Sequence, residues 1–112
     1  MLVALVTMYA FVAKAETVNE PIRQPTPQEY LAELSGEDYN LLNRIIECES
    51  GWKSSAKNPY STASGLFQFI SSTWNNWGEG DVFDPYDNIR AGVNLFNAEG
   101  TKPWNASKSC WL

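Results

Sequence analysis

The chain has 112 residues, of which 13 are acidic, 8 are basic, two are cysteine and none is histidine, and its formal net charge is −5. This length accommodates one small domain, since single domains usually run to about 100–150 residues. Without histidine, Ser-His-Asp and Cys-His catalysis are excluded, and two cysteines are too few for a structural zinc site. The negative charge argues against nucleic acid as a partner, because phosphates require a basic surface. We therefore expect any chemistry to come from carboxylates, with no metal and no cofactor.

Residues 1–15 have the pattern of a secretory signal peptide. The run from Leu2 to Val12 is almost entirely apolar, and Ala13-Lys14-Ala15 after it is a small-x-small cleavage pattern. The positively charged segment that usually comes first is missing. A membrane-spanning helix is the alternative, but the run is shorter than the roughly 20 residues that a bilayer needs. We expect the segment to be removed, leaving a protein that is secreted or in the cell envelope, without a stable membrane span.

Secretion would place both cysteines in an oxidising compartment, where disulfides form and persist. Cys48 and Cys110 would then form the one intramolecular disulfide that the chain allows. It would close a long loop and contribute roughly 4 kcal/mol in the chain-entropy model. The alternative is two free thiols in a cytosolic protein, which the N-terminal segment argues against.

Residues 16–34 are predicted to form a linker followed by a short helix. Prolines punctuate the polar stretch at its start. Thr26-Pro27-Gln28-Glu29 then has the form of a capping box with proline at the first helical position. We expect a helix from there to Leu34 and a separate domain over residues 35–112.

Three further helices are predicted in chain order. The second helix covers residues 35–50, with Ser35 as its cap and a glycine directly after it. A short third helix covers residues 72–78. The fourth lies within residues 84–100, with apolar residues at i, i+4 and i+7. No stretch alternates apolar and polar residues as a strand does, so the expected class is mainly α, with loops or a small hairpin over residues 52–64.

One carboxylate falls on the apolar side of the second helix. Glu49 lies about 20° from Leu42, whereas Glu47 lies about 160° from Glu49 on the polar side. Burial would disfavour the charged form of Glu49 and raise its pKa, which suits a general acid near neutral pH. The alternative is that Glu49, one residue before the helix ends, turns to solvent or caps a neighbouring helix. The arc that should face the core contains Leu41, Leu42, Ile45, Ile46 and Cys48.

Aromatic and amide side chains are concentrated after residue 51. Flat rings and planar amides suit sugars, which have apolar faces and hydroxyl edges. We expect roughly half of the rings to lie in the core instead. The rings belong to Trp52, Tyr60, Phe67, Trp74, Trp77 and Trp104, and the amides to Asn58, Gln68, Asn75 and Asn76.

Three segments follow one another along the chain: Cys48-Glu49-Ser50-Gly51-Trp52, Ser64-Gly65-Leu66-Phe67-Gln68-Phe69, and Asn88-Ile89-Arg90-Ala91-Gly92 with Asn97. They resemble the segment in which a catalytic glutamate ends a helix, the Gly-Leu-x-Gln segment that borders a sugar cleft, and the motif on the helix across that cleft. In this order they resemble the lysozyme-like superfamily, in particular transglycosylase SLT-type domains and resuscitation-promoting factors. The ending from Trp104 to Trp111 is similar to the latter, whose cysteine before the catalytic glutamate pairs with one near the C-terminus.

The resemblance covers residues 38–112 and implies an α+β lysozyme-like fold with a glycan cleft. It implies that Glu49 is the catalytic acid/base. The implied reaction is cleavage of the β-1,4 bond between N-acetylmuramic acid and N-acetylglucosamine in the glycan strands of bacterial peptidoglycan, carried out by a monomer. The implied substrate contacts are Ser50, Tyr60, Ser64, Gly65, Phe67, Gln68, Asn97 and Trp104.

Two departures from the family patterns bear on mechanism. SLT-type enzymes often have Tyr-Asn where this chain has Phe96-Asn97, so a hydroxyl near the glutamate is absent. Animal-type lysozymes carry an aspartate soon after the glutamate, but no acidic residue lies between Glu49 and Gln68. Because a glycosidase normally needs two carboxylates, a single-glutamate lytic transglycosylase is the favoured interpretation. The alternatives are a hydrolytic muramidase and a non-catalytic module that binds peptidoglycan or chitin.

Overall fold

A computed structural model describes residues 21–112, and the predicted signal peptide lies outside them. Within this range no extended strand is present and only isolated bridges occur, so the predicted mainly α class is confirmed. None of the helices in this range is long and apolar enough to cross a membrane. The α-helices are α1 (Pro27–Ser35), α2 (Tyr39–Ser50), α3 (Ser71–Trp77), α4 (Pro85–Glu99) and α5 (Lys108–Trp111), and the 3₁₀ helices are Gly36–Asp38 and Lys102–Ser107.

Helix α1 begins with the predicted capping box. The Thr26 hydroxyl accepts a hydrogen bond from the amide of Glu29 at 3.2 Å, and the Glu29 carboxylate accepts one from the amide of Thr26 at 2.8 Å. Leu31 is completely buried, and α1 packs against α4 and α2. The Tyr86 hydroxyl of α4 donates to the Pro25 carbonyl at 2.6 Å, which fixes the chain just before the helix.

The prediction that Ser35 caps the second helix is wrong. Ser35 is the last residue of α1, with helical backbone angles, and its hydroxyl donates to the Leu31 carbonyl at 2.5 Å. An N-cap needs an extended backbone to aim its side chain at the following amides. The Gly36–Asp38 3₁₀ helix therefore separates α1 from α2. Helix α2 ends as predicted, with Gly51 in the left-handed conformation at φ 60°.

The core lies between α2, α4 and the loop that precedes α3. Helix α4 starts at a proline, and the Asp84 carboxylate caps it by accepting hydrogen bonds from the Tyr86 and Asp87 amides, both at 2.9 Å. A side chain at Gly92 would collide with the Phe67 ring, so glycine lets the loop pack directly on α4. The buried residues include Leu42, Ile45, Ile46, Leu66, Phe67, Phe69, Ile89, Val93, Leu95, Trp104 and Trp111.

The loop before α3 is shaped by Asn88, a fully buried residue of α4. Its side-chain oxygen accepts from the Phe67 amide at 2.9 Å and its side-chain nitrogen donates to the Val82 carbonyl at 2.8 Å. Isolated antiparallel bridges join Ser64 to Lys57 and to Phe69. Of the expected loops or small hairpin over residues 52–64, the structure has a loop with these isolated bridges and no paired strands.

A disulfide joins Cys48 in the last turn of α2 to Cys110 in α5, with the two Cα atoms 6.0 Å apart. The sequence separation is 62 residues. Next to it, the Arg44 side chain donates to the Trp111 carbonyl at 3.0 Å. The C-terminal segment is therefore packed against the end of α2.

Candidate active site

Glu49 is the penultimate residue of α2, and its carboxyl group is partly buried. One carboxyl oxygen accepts a hydrogen bond from the Ser107 hydroxyl at 2.5 Å. Burial raises the pKa of Glu49, because the charged form loses hydration, and the Ser107 hydrogen bond lowers it by a smaller amount. The net rise favours the protonated form, which is the form that a general acid uses. Glu47, by contrast, is exposed.

Ser107, which contacts the Glu49 carboxyl, is not among the site residues predicted from the sequence. It ends the 3₁₀ helix Lys102–Ser107, and its hydroxyl also lies 3.1 Å from the Trp104 carbonyl and 3.1 Å from the Trp111 indole nitrogen. The predicted disulfide was the signal that could have located it. Since Cys48 precedes Glu49 directly, residues close to Cys110 must lie close to Glu49.

A pocket of about 320 Å³ lies between the loop before α3, α3 itself, the end of α4 and the C-terminal 3₁₀ helix. Glu49 is not among its lining residues, but Trp104 is, three residues before Ser107. The wall thus contains the chain segment that also contacts the Glu49 carboxyl. The polar lining residues are Gln68, Thr73, Asn76 and Glu99, and the aromatic ones are Phe67, Phe69, Trp77 and Trp104.

Three of the predicted substrate contacts meet at this pocket. The Trp104 indole donates to the Phe67 carbonyl at 3.1 Å, and the two ring centroids are 5.3 Å apart. Gln68 has a positive φ of 56°, which is uncommon for a residue other than glycine. Its side-chain amide nitrogen donates to the Ala56 and Gly65 carbonyls at 3.2 and 2.9 Å, so the side chain is fixed against the loop.

The other predicted substrate contacts lie apart from the pocket. The Ser50 hydroxyl donates back to the Ile46 carbonyl at 3.1 Å, and the buried Ser64 hydroxyl donates to the Thr62 carbonyl at 2.9 Å. Gly65 is buried against the Asn88 side chain. Tyr60 is 95% exposed on its loop, and Asn97 is exposed on α4.

The aromatic residues divide between core and surface. Phe67 and Trp104 are buried, Tyr60 is exposed, and Trp52, Trp74 and Trp77 are partly buried against the core. The partly buried rings are the ones that keep a solvent-facing part. Among the pocket-lining residues, Trp77 alone of the four aromatic side chains is of this kind.

A family model described as "Transglycosylase SLT domain" matches residues 28–109. The chain belongs to this family. The matched region of the SLT domain runs from α1 into α5 and contains Glu49, Ser107 and the whole pocket lining. Membership implies peptidoglycan cleavage of the transglycosylase type and a location outside the cytoplasm, with which the disulfide is consistent. This chain has no significant match among curated proteins or among solved structures.

Proposed function

We propose that this SLT domain is a lytic transglycosylase that cleaves the β-1,4 bond between N-acetylmuramic acid and N-acetylglucosamine, with Glu49 as its single acid/base. The observation that carries the proposal is the carboxyl group of Glu49, which is partly buried, has a raised pKa and is hydrogen-bonded to one hydroxyl donor. No ion pair in residues 21–112 involves it. Such a group is protonated at a higher pH than an ordinary glutamate and can donate its proton to a leaving oxygen.

The reaction uses this one carboxyl group twice. Protonated Glu49 donates its proton to the glycosidic oxygen as the bond from that oxygen to C1 of the muramic acid breaks. The resulting carboxylate then removes the proton from the 6-hydroxyl of the same sugar. The 6-oxygen forms a bond to C1, which closes a 1,6-anhydro ring and returns Glu49 to its protonated form.

We further propose that the glycan strand occupies the pocket next to Trp104. A ring surface from Trp77 and amides from Gln68 and Asn76 line it, and this is the combination that suits the apolar faces and hydroxyl edges of sugars. From there the strand would pass the C-terminal 3₁₀ helix to reach the Glu49 carboxyl. With a chain charge of −5, attraction between opposite charges contributes little to binding an anionic peptidoglycan.

Replacement of Glu49 by glutamine tests the acid/base assignment. Glutamine has nearly the same shape but cannot transfer the proton, so we expect the rate of muropeptide release from purified peptidoglycan to fall about 10³-fold. The variant should still bind peptidoglycan and be recovered with it in the pellet. The matched control is Glu47→Gln, two residues earlier on the same helix and exposed. Unchanged release by the Glu49→Gln variant would contradict the assignment. A wild-type protein that binds glycan and never cleaves it would favour the binding-module alternative.

Hydrolysis is the second candidate, and one observation favours it. Glu99 lines the pocket, so a second carboxylate is available that could activate water, as two-carboxylate glycosidases require. Mass spectrometry separates the two reactions, because a 1,6-anhydro end is one water lighter than a hydrolysed end. We expect anhydro products from both the wild type and Glu99→Gln. If the wild type instead gives hydrolysed ends and Glu99→Gln does not, the muramidase mechanism is correct and the transglycosylase mechanism is wrong.

A further inference from the structure

The Ser107 hydroxyl has more hydrogen-bond partners than it has hydrogens. The Glu49 carboxyl oxygen is 2.5 Å away and the Trp104 carbonyl oxygen 3.1 Å away, and both are acceptors when Glu49 is ionised. The Trp111 indole nitrogen, 3.1 Å away, can only donate to the hydroxyl oxygen. A hydroxyl has one hydrogen and two lone pairs. Its hydrogen can therefore serve Glu49 or Trp104, but not both at full strength.

The charge of Glu49 decides between these two arrangements. When Glu49 is ionised, the Ser107 hydrogen points to the carboxylate, since hydrogen bonds to charged acceptors are the stronger ones. When Glu49 is protonated, its own hydrogen can point to the Ser107 oxygen, and the Ser107 hydrogen is then free to turn to the Trp104 carbonyl. In both arrangements the Trp111 indole, which shares its one hydrogen between the Ser107 oxygen at 3.1 Å and the Trp104 carbonyl at 3.2 Å, supports that oxygen.

We propose that Ser107 is a positioning residue that keeps the Glu49 carboxyl in one orientation in both of its protonation states by rotating a single hydroxyl hydrogen. The proposal rests on the proposed function, in which Glu49 must act first as an acid and then as a base. A fixed donor alone would favour the carboxylate and oppose the acid step. A hydroxyl that can both donate and accept suits the two steps.

No other charged group takes over this role in residues 21–112. The ion pairs there join Arg23 to Glu29 and Arg90 to Asp87, so none of them reaches Glu49. Burial and the Ser107 hydrogen bond are the two causes of its pKa shift. Besides Glu49, the charged residues on α2 and on the helices packed against it are Arg44, Glu47, Glu29, Glu33, Glu37, Asp38, Lys102 and Lys108.

The matched pair Ser107→Thr and Ser107→Val tests the proposal, because the two side chains have the same shape and differ by the hydroxyl. The measurement is the pH titration of the Glu49 carboxyl carbon by NMR, with the intact secreted protein. We expect the pKa of Glu49 to be higher in Ser107→Val than in the wild type, since the carboxylate has lost its donor, and to return close to the wild-type value in Ser107→Thr. Ser107→Ala should behave as Ser107→Val does and provides the same comparison if the valine is not tolerated. Ser109→Ala, an exposed serine two residues on, is the control.

The pH dependence of kcat/KM on peptidoglycan gives a second, independent result. Activity that needs protonated Glu49 declines as Glu49 ionises, so the alkaline limb should move to higher pH in Ser107→Val and return in Ser107→Thr. A Ser107→Val protein with the wild-type Glu49 titration would overturn the role of Ser107, whatever its activity. If the titration shifts but the activity limb does not follow, Ser107 does not act through the catalytic group, and the assignment of Glu49 itself fails.

Discussion

Glu29 and Glu49 each lie in a terminal turn of a helix, but their pKa values are shifted in opposite directions. Glu29, in the first turn of α1, is exposed and accepts hydrogen bonds from the Arg23 guanidinium at 2.9 and 3.0 Å and from the Thr26 amide at 2.8 Å. These hydrogen bonds lower the pKa of Glu29 to about 2, and the one from Arg23 has the largest effect. Glu49, in the last turn of α2, is partly buried with one hydroxyl donor, and burial raises its pKa.

The difference shows that the two ends of a helix favour different protonation states of the same side chain. At a helix N-terminus, free backbone amides and the positive end of the dipole favour a carboxylate. At a C-terminus the dipole is negative and amides are already used, so a carboxylate there must find its donors elsewhere. For Glu49 that donor comes from a segment 58 residues away. Glu29 is suited to stabilising a helix end, and Glu49 to holding a proton.

Removing the disulfide should have the largest effect on the difference between the pKa values of Glu49 and Glu29. The double variant Cys48→Ser, Cys110→Ser removes the covalent link between α2 and α5, and we expect the free energy of unfolding to fall by about 4 kcal/mol. As the segment with Ser107 loosens, water should reach Glu49 and its pKa should move back towards the ordinary value, whereas that of Glu29 should not change. Urea unfolding and carboxyl NMR titration measure the two effects. A loss of stability below about 1 kcal/mol would mean that packing alone secures the C-terminal segment.

The Glu49→Gln substitution should change stability by an amount that depends on pH and is smaller than the effect of losing the disulfide. Because the folded pKa of Glu49 is raised, folding favours the protonated form. The wild type is therefore most stable below the unfolded pKa and loses stability as the pH rises through the folded value. Glutamine does not ionise, so the Tm of the variant should exceed that of the wild type by a few degrees at pH 8 and match it at pH 4. Glu47→Gln is the control, and a Tm difference equal at both pH values would contradict a buried, charged Glu49.

Arg23→Ala should have the smallest effect. Glu29 loses its first cause of pKa depression, so its pKa should rise from about 2 towards the ordinary 4.5, held below it by the Thr26 amide. The depressed value contributes stability that is present above the unfolded pKa and is lost as the pH falls towards 2. Since the pair is exposed, we expect almost no change in unfolding at pH 7. A clear loss of stability at pH 7 in high salt would show that this contact does more than shift a pKa.

Much of the helical framework was predictable because its signals are local. The capping box before α1 acts within three residues and forms as predicted. Helix α4 lies within the predicted range 84–100, and the local signals of Asp84 and Pro85 set its start. Ser35 misled because a serine between two helices can cap the second or close the first, and its own backbone angles decide which. The four-residue helix α5 was not predicted, since so short a helix is stabilised by its packing and the disulfide rather than by its residues.

The candidate site was predictable only in part for the same reason. The helical period placed Glu49 on the apolar side of α2, and the raised pKa agrees with that interpretation. The contact with Ser107 depends on two segments far apart in the chain, and no local pattern indicates it. No sequence pattern singles out Glu99, and the structure alone places it at the pocket.

The disulfide has a further consequence for damage by proteases. The loop around Tyr60 is exposed and lies between Cys48 and Cys110, so a cut there would place Glu49 on one fragment and Ser107 on the other. The two fragments would remain one covalent molecule, joined immediately beside Glu49 and three residues from Ser107. A nicked protein would therefore migrate as a single species on a denaturing gel until a reductant is added. Glu49 and Ser107 would stay in one molecule although the chain between them is cut.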